Sequence, residues 1–218
     1  MQKIISIFLF LPFAFGCGAT PDSSTATNST SSAIKTDTTS HEVAYFASGC
    51  FWCVEAVFES VIGVQEAVSG YSGGTAENAN YKAVSAGRTD HAEAVAVYYD
   101  PEVISYETLL TVFFDSHDPT TLNQQGPDRG RQYRSAIFYN NDDEKELAEK
   151  HIAKLLEEGT YSKITTEVVE LDAFYPAEDY HQDYKKKNPN DRYVVGVSVP
   201  RLKKFKSKHP NLLKENNK

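Results

Sequence analysis

Two cysteines three residues apart, in Gly49-Cys50-Phe51-Trp52-Cys53, are the residues most able to do chemistry in this chain. They sit where an apolar strand-like run, Val43 to Ala47, meets a helical pattern of Val54, Val57, Phe58, Val61 and Ile62. A thiol in the first turn of a helix faces unpaired N–H groups and the positive end of the helix dipole, which favour the thiolate. A second cysteine one turn on can reach it, so the pair reads as a nucleophile with a resolving partner. A structural disulfide in an exported domain is an alternative for the same spacing. A zinc half-site would need two further ligands, and no second cysteine pair is present. The zinc deaminases combine H-x-E with a later proline-led cysteine pair. Here His91-Ala92-Glu93 follows the cysteines and Gly49 precedes Cys50, so the order is reversed and that reading is set aside.

Glu93 is the other candidate for chemistry. In a strand over His91 to Tyr99 it would share a face with Val95 and Val97. A carboxyl desolvated on an apolar face keeps its proton near neutrality, as a general acid must. The pattern is equally compatible with a strand-end glutamate pointing into water.

The elements that must position these groups alternate between strands and helices from about Glu42 to Pro200. Strands are expected at Val64 to Tyr71, Arg134 to Tyr139 and Ile164 to Leu171. Ser105 should cap a helix carrying Leu109, Leu110, Phe113 and Phe114, and Asp142 to Glu158 should form the longest helix, ended by Gly159. Two loops, Ser72 to Asp90 and His117 to Tyr133, are long enough to read as functional. The expected class is α+β: a two-layer α/β sandwich with a mixed sheet, a ferredoxin-like core and long functional loops.

The flanks read differently. Residues 1–16 are expected to be an export signal, with Lys3, an apolar Ile4 to Phe15, and small Ala14 and Gly16 before the cut. Phe-Ala-Phe-Gly-Cys resembles a bacterial lipoprotein box, which implies lipid on Cys17 and a membrane-anchored protein of the cell envelope, facing the periplasm or exterior. Residues 17–41 are rich in serine and threonine and are expected to be a flexible tether reaching about 25 Å. The domain is assigned to 42–200, and the lysine-rich 201–218 to a basic tail, solvated in preference to lying on an anionic membrane. The 218 residues are 40% hydrophobic and 24% charged, which excludes a wholly disordered or fibrous chain. Its net charge of −8 argues against nucleic acid as a partner. Met1 is the only methionine.

Beyond the cysteines, the chain carries Gly70-Tyr71-Ser72-Gly73-Gly74, Asn80-Tyr81, Gly87-Arg88-Thr89-Asp90-His91-Ala92-Glu93-Ala94-Val95 and Tyr99-Asp100-Pro101. His117-Asp118-Pro119-Thr120, Gln125-Gly126-Pro127-Asp128 and Gln132-Tyr133-Arg134-Ser135 follow, then Tyr175, Ala177-Glu178 and His181-Gln182 through Asn188-Pro189. In these blocks and their order, from about Val43 to Pro189, the sequence resembles the A-class peptide methionine sulfoxide reductases. The resemblance implies that Cys50 attacks the sulfoxide sulfur, with Phe51 and Trp52 walling the substrate methyl group. It implies Glu93 as proton donor to the sulfoxide oxygen, Tyr81 and Tyr133 as hydrogen-bond donors to it, and Asp128 as a polar member of the site. It further implies specificity for the S epimer, free or in oxidised proteins, and a repair role under oxidative stress.

On this reading Cys50 becomes a sulfenic acid, Cys53 condenses with it, and an external thioredoxin-like dithiol restores the pair, with no bound cofactor or metal and a monomeric enzyme. Many relatives place resolving cysteines near the carboxy terminus. No cysteine follows Cys53 here, which leaves Cys53 as the candidate. A thioredoxin-type thiol–disulfide oxidoreductase is the competing enzyme class, although such sites usually place tryptophan before the first cysteine. A non-catalytic lipoprotein binding module is the third reading.

Overall fold

The structure is a computed structural model, and residues 41–215 are described. The expected export signal, Cys17 and nearly all of the expected tether lie outside those residues. Strand β1 (Glu42–Ser48) leads through Gly49 and Cys50 into helix α1 (Phe51–Glu59), and β2 (Val64–Ser72) follows. A short helix α2 (Tyr81–Ser85) precedes β3 (Ala92–Tyr99), and α3 (Tyr106–Asp115) comes next. A small hairpin of β4 (Gln124–Gln125) and β5 (Asp128–Arg129) leads to β6 (Ser135–Tyr139) and α4 (Asp142–Glu157). The chain then forms β7 (Glu167–Glu170), β8 (Phe174–Pro176), α5 (Tyr184–Lys187) and α6 (Val199–Lys208).

The main sheet runs β7-β6-β1-β3-β2-β8. Its four inner strands pair antiparallel in the ferredoxin-like order, with β7 added parallel to β6 and β8 antiparallel to β2. The sheet is mixed, as expected. Alternation along the strands gives it two unlike faces. Phe46, Val95, Val97 and Ile137 point to the side covered by α1 and α3, where they join Val54, Phe58, Leu109, Leu110 and Phe113. Phe46 stacks on Phe58 at 5.1 Å and on Phe113 at 5.2 Å. Each such ring, fully buried, stabilises the fold by roughly 1.5–3 kcal/mol. The opposite face carries a smaller cluster of Ala47, Ala92, Ala94, Ala136 and Phe138.

Local signals act where expected. Ser105 Oγ accepts from the Thr108 amide at 3.2 Å, and Gly159 ends α4 with φ +70°. The strand expected over Ile164 to Leu171 shrinks to Glu167–Glu170, because β7 is an edge strand paired on one side only. The two long loops are less irregular than their composition suggests. The first holds a 3₁₀ turn at Ala76–Asn78 and α2, started by Asn80, whose side chain accepts from the Ala83 amide. The second holds the β4–β5 hairpin and a 3₁₀ turn at Arg131–Tyr133.

The largest correction concerns the end of the chain. Residues 201–213 are not a solvated basic tail. Helix α6 buries Leu202 and Phe205, and Leu213 forms a bridge with Val61, so the domain extends past Pro200. The lysines occupy the outer face of an amphipathic helix, which a count of charge along the sequence cannot separate from a free tail.

Candidate active site

The turn from β1 to α1 fixes the first cysteine. Gly49 adopts φ +89°, and a side chain there would collide with Gln125 at 2.6 Å. Cys50 is thus the N-cap residue of α1, one position before the first turn in which it was expected. The Phe51 amide donates to Glu93 Oε2 at 3.1 Å, so the free N–H at the helix start serves the carboxyl and not the thiol. Cys50 itself is only 6% exposed. Its thiol is pushed well up by burial, then by its contact with Cys53 and the nearby Glu93 carboxyl. Burial therefore works against the dipole stabilisation of a Cys50 thiolate expected from its place at the helix start.

The partner sulfur behaves in the opposite way. The Cys50–Cys53 hydrogen bond pulls Cys53 down to about 6, and Arg201 and Ser198 add to that effect against burial. Both cysteines are free thiols, so the structural disulfide alternative is not realised here.

Glu93 resolves the ambiguity left by its pattern. It lies opposite Tyr71 in the β2–β3 pairing, points to the apolar face, and is 2% exposed. Burial pushes its carboxyl up to about 8, against the opposing Phe51 hydrogen bond. At neutral pH it is mostly a neutral acid, poised beside Cys50.

Cys50, Glu93, Phe51, Trp52, Tyr81, Tyr133 and Asp128 all line one cavity of about 140 Å³, with Tyr193. Seven of the eight expected active-site residues thus meet there, and the eighth, Cys53, lines an adjoining cavity. Phe51 is fully buried and does double duty as core and wall. Trp52 is held as a rigid plate: it stacks on Tyr184 at 3.7 Å, and its indole N–H donates to His181 Nδ1 at 3.1 Å. Burial lowers the basicity of His181, so it stays neutral and accepts that bond. Burial also raises the phenols of Tyr81, to about 12, and of Tyr133, which keeps both as donors.

Three residues were missed in the sequence. Tyr193 donates to Asp128 Oδ2, and its hydroxyl lies 4.0 Å from Cys53 Sγ, so it joins the Asp128 carboxyl to the cysteine pair. Glu178 accepts from the Tyr81 amide at 3.0 Å and from the Tyr71 hydroxyl at 2.8 Å, which sets where Tyr81 stands. His181 orients Trp52. Among 13 tyrosines nothing local marked Tyr193, although Glu178 and His181 lay inside the resembling blocks.

Among the described residues, one cluster of carboxylates has the spacing of metal ligands, Glu55, Glu59 and Asp183. Lys186 donates to Glu59 and Asp183 within it, so a cation already occupies that position.

A buried thiol beside a protonated carboxyl, with phenol donors and an aromatic wall, can attack a sulfur centre while protonating the oxygen bound to it. Comparison with known proteins points the same way. A peptide methionine sulfoxide reductase of Synechocystis is 49% identical over 183 residues, covering 83% of this chain and 86% of that protein. One from Pasteurella multocida is 53% identical over 171 residues, covering 78% and 98%. The solved structure of methionine sulfoxide reductase A from Corynebacterium diphtheriae superposes with a TM-score of 0.62 at 36% identity, covering 69% of this chain and 76% of that one. These likenesses do not favour a thioredoxin-type oxidoreductase. With the sequence pattern of the peptide methionine sulfoxide reductases matching residues 42–213, the whole sheet, the cavity and helix α6 included, the chain belongs to that family of enzymes.

Proposed function

We propose that the enzyme reduces the S epimer of methionine sulfoxide by attack of Cys50 on the sulfoxide sulfur, with Glu93 protonating the oxygen. The observation that carries this is the meeting of Cys50 and a buried Glu93 in one cavity at the start of α1, where burial raises the Glu93 carboxyl. Phe51 and Trp52 hold the methyl group, where a polar side chain would be desolvated without a partner. Tyr81 and Tyr133 donate to the oxygen, and Asp128 with Tyr193 closes the far wall. The thioether leaves, and Cys50 becomes a sulfenic acid. Cys53 attacks Cys50 Sγ, the hydroxyl departs as water, and a thioredoxin-like dithiol then reduces the disulfide.

Turnover of the separate epimers of a methionine sulfoxide peptide tests the first step, and consumption of the R epimer alone would sink it. Cys53→Ser should still yield one equivalent of methionine in a single turnover. Its multiple turnover with a dithiol protein should collapse, because no intramolecular disulfide forms. Mass spectrometry after one turnover of the parent checks this; a lasting sulfenic acid on Cys50 beside a free Cys53 would remove Cys53 from the cycle.

We further propose that the enzyme acts as an exported monomer held to a cell-envelope membrane through lipid on Cys17. The lipoprotein-like Phe-Ala-Phe-Gly-Cys run and the polar stretch after it support that reading. Metabolic labelling with a radioactive fatty acid should mark the parent and spare Cys17→Ser, and label retained in that variant would refute the anchor.

A further inference from the structure

Cys53 has surroundings that the reduction step does not use. Its Sγ lies 2.9 Å from Ser198 Oγ, with Cys53 2% and Ser198 1% exposed. Ser198 closes a π-helical turn over Val194–Ser198, in which the Val199 amide bonds to the Val194 carbonyl five residues back. In an α-helix residues five apart stand about 140° apart around the axis. The wider turn brings Tyr193 and Ser198 toward the same side, and both meet Cys53. Such π-turns recur at functional sites.

Arg201 lies three residues on and borders the same cavity as Cys53, a space of about 220 Å³ that shares Asp128 and Tyr193 with the Cys50 cavity. Its guanidinium is fixed by neutral acceptors: the Ser116 carbonyl at 2.7 Å, and the Ser48 carbonyl and hydroxyl at 2.9 Å each. None of these hydrogen-bond partners is a carboxylate, so its charge is left to act on the anions facing it, Cys53 and Asp128.

We propose that Ser198 and Arg201 are positioning residues for resolution: together they hold the Cys53 sulfur in place and favour its attack on Cys50. The assignment rests on Cys53 being the resolving cysteine. The Ser198 hydroxyl shares a hydrogen bond with the sulfur and becomes its donor once Cys53 ionises, and Arg201 supplies a fixed positive charge. The sulfenic acid formed on Cys50 then meets a sulfur whose ionisation both groups favour. Cys53 Sγ bonds to Cys50 Sγ, the S–O bond breaks, and the hydroxyl leaves as water with a proton from solvent or from a neighbouring acid.

The charged and titratable groups around Cys53 set the controls. Cys50 and Glu93 face it from α1 and β3, Asp128 and Tyr193 from the far wall, and Arg201 from α6. Across the cavity stand His117, Asp118, Lys204 and Asp115, the last already paired with Lys208 and His209.

The test uses the full chain carrying Cys50→Ser, with iodoacetamide alkylation of Cys53 followed against pH and peptide mapping to separate it from Cys17. Ser198→Ala and Arg201→Met should each raise the alkylation midpoint by about one pH unit or more. Arg201→Lys, which keeps the charge, should restore most of the parent midpoint. With Cys50 present, the pH profile of disulfide formation after a single turnover should move in parallel. A purely structural role would lower the melting temperature and leave the midpoint in place. An unmoved midpoint in Ser198→Ala, which removes one hydroxyl and no charge, would overturn the proposal even if Arg201→Met failed to fold. A moved midpoint combined with normal turnover by Cys53→Ser would overturn the link to resolution while leaving the thiolate cradle standing.

Discussion

Cys50→Ser is expected to reduce turnover of methionine sulfoxide to the uncatalysed level while leaving the fold intact. The substitution is nearly isosteric at a site that is 6% exposed, so the melting temperature should move little. The chemistry is lost because a hydroxyl lacks both the acidity and the nucleophilicity of a thiol. Cys53 cannot substitute: it borders the other cavity and has its own partners in Ser198 and Tyr193. Single-turnover release of methionine, measured with reduced protein and no added dithiol, checks this directly. Release of a full equivalent from the variant would place the nucleophile elsewhere.

Glu93→Gln should lower the single-turnover rate by roughly 10²–10⁴, the usual scale for loss of a general acid. The amide can still accept from the Phe51 amide but has no acidic proton to deliver. In the parent the same rate should fall as pH rises through about 8, where the Glu93 carboxyl ionises. Stability carries the same signature. The folded carboxyl titrates near 8 and an unfolded glutamate near about 4.3. The neutral form's contribution is therefore complete below the unfolded value and is lost progressively as pH rises through the folded one. Glu93→Gln should remove that decline, giving a variant that is nearly inactive yet loses less melting temperature between pH 5 and pH 9 than the parent. A parent-like rate in this variant would pass the acid role to Tyr81 or Tyr133.

Residues near each other in sequence, or set by a short period, were legible. The strand–Gly49–Cys50–helix junction, the Ser105 cap and the Gly159 stop rest on local chemistry that a few neighbouring residues decide. The resembling blocks named every residue they imply for the Cys50 cavity, because those residues sit in short, ordered segments. The placement of β8 beside Gly70 was not legible. Any side chain at Gly70 would strike the Phe174 ring and the Tyr175 carbonyl, a clash that exists only once the two strands pair.

Sequence alone determined which side chains can react: two thiols three residues apart, a glutamate in a strand of valines, and the aromatic pair between the cysteines. It could not determine which protons they hold. That depends on burial and on charges brought from far along the chain, and both are products of the packed fold. The tertiary structure gave the Phe51 amide to Glu93, buried the Cys50 thiol so that its ionisation is opposed, and set Ser198 and Arg201 of the carboxy-terminal region against Cys53, 145 residues away from Ser198. A lysine-rich segment reads as a tail until its buried Leu202 and Phe205 find a core to cover.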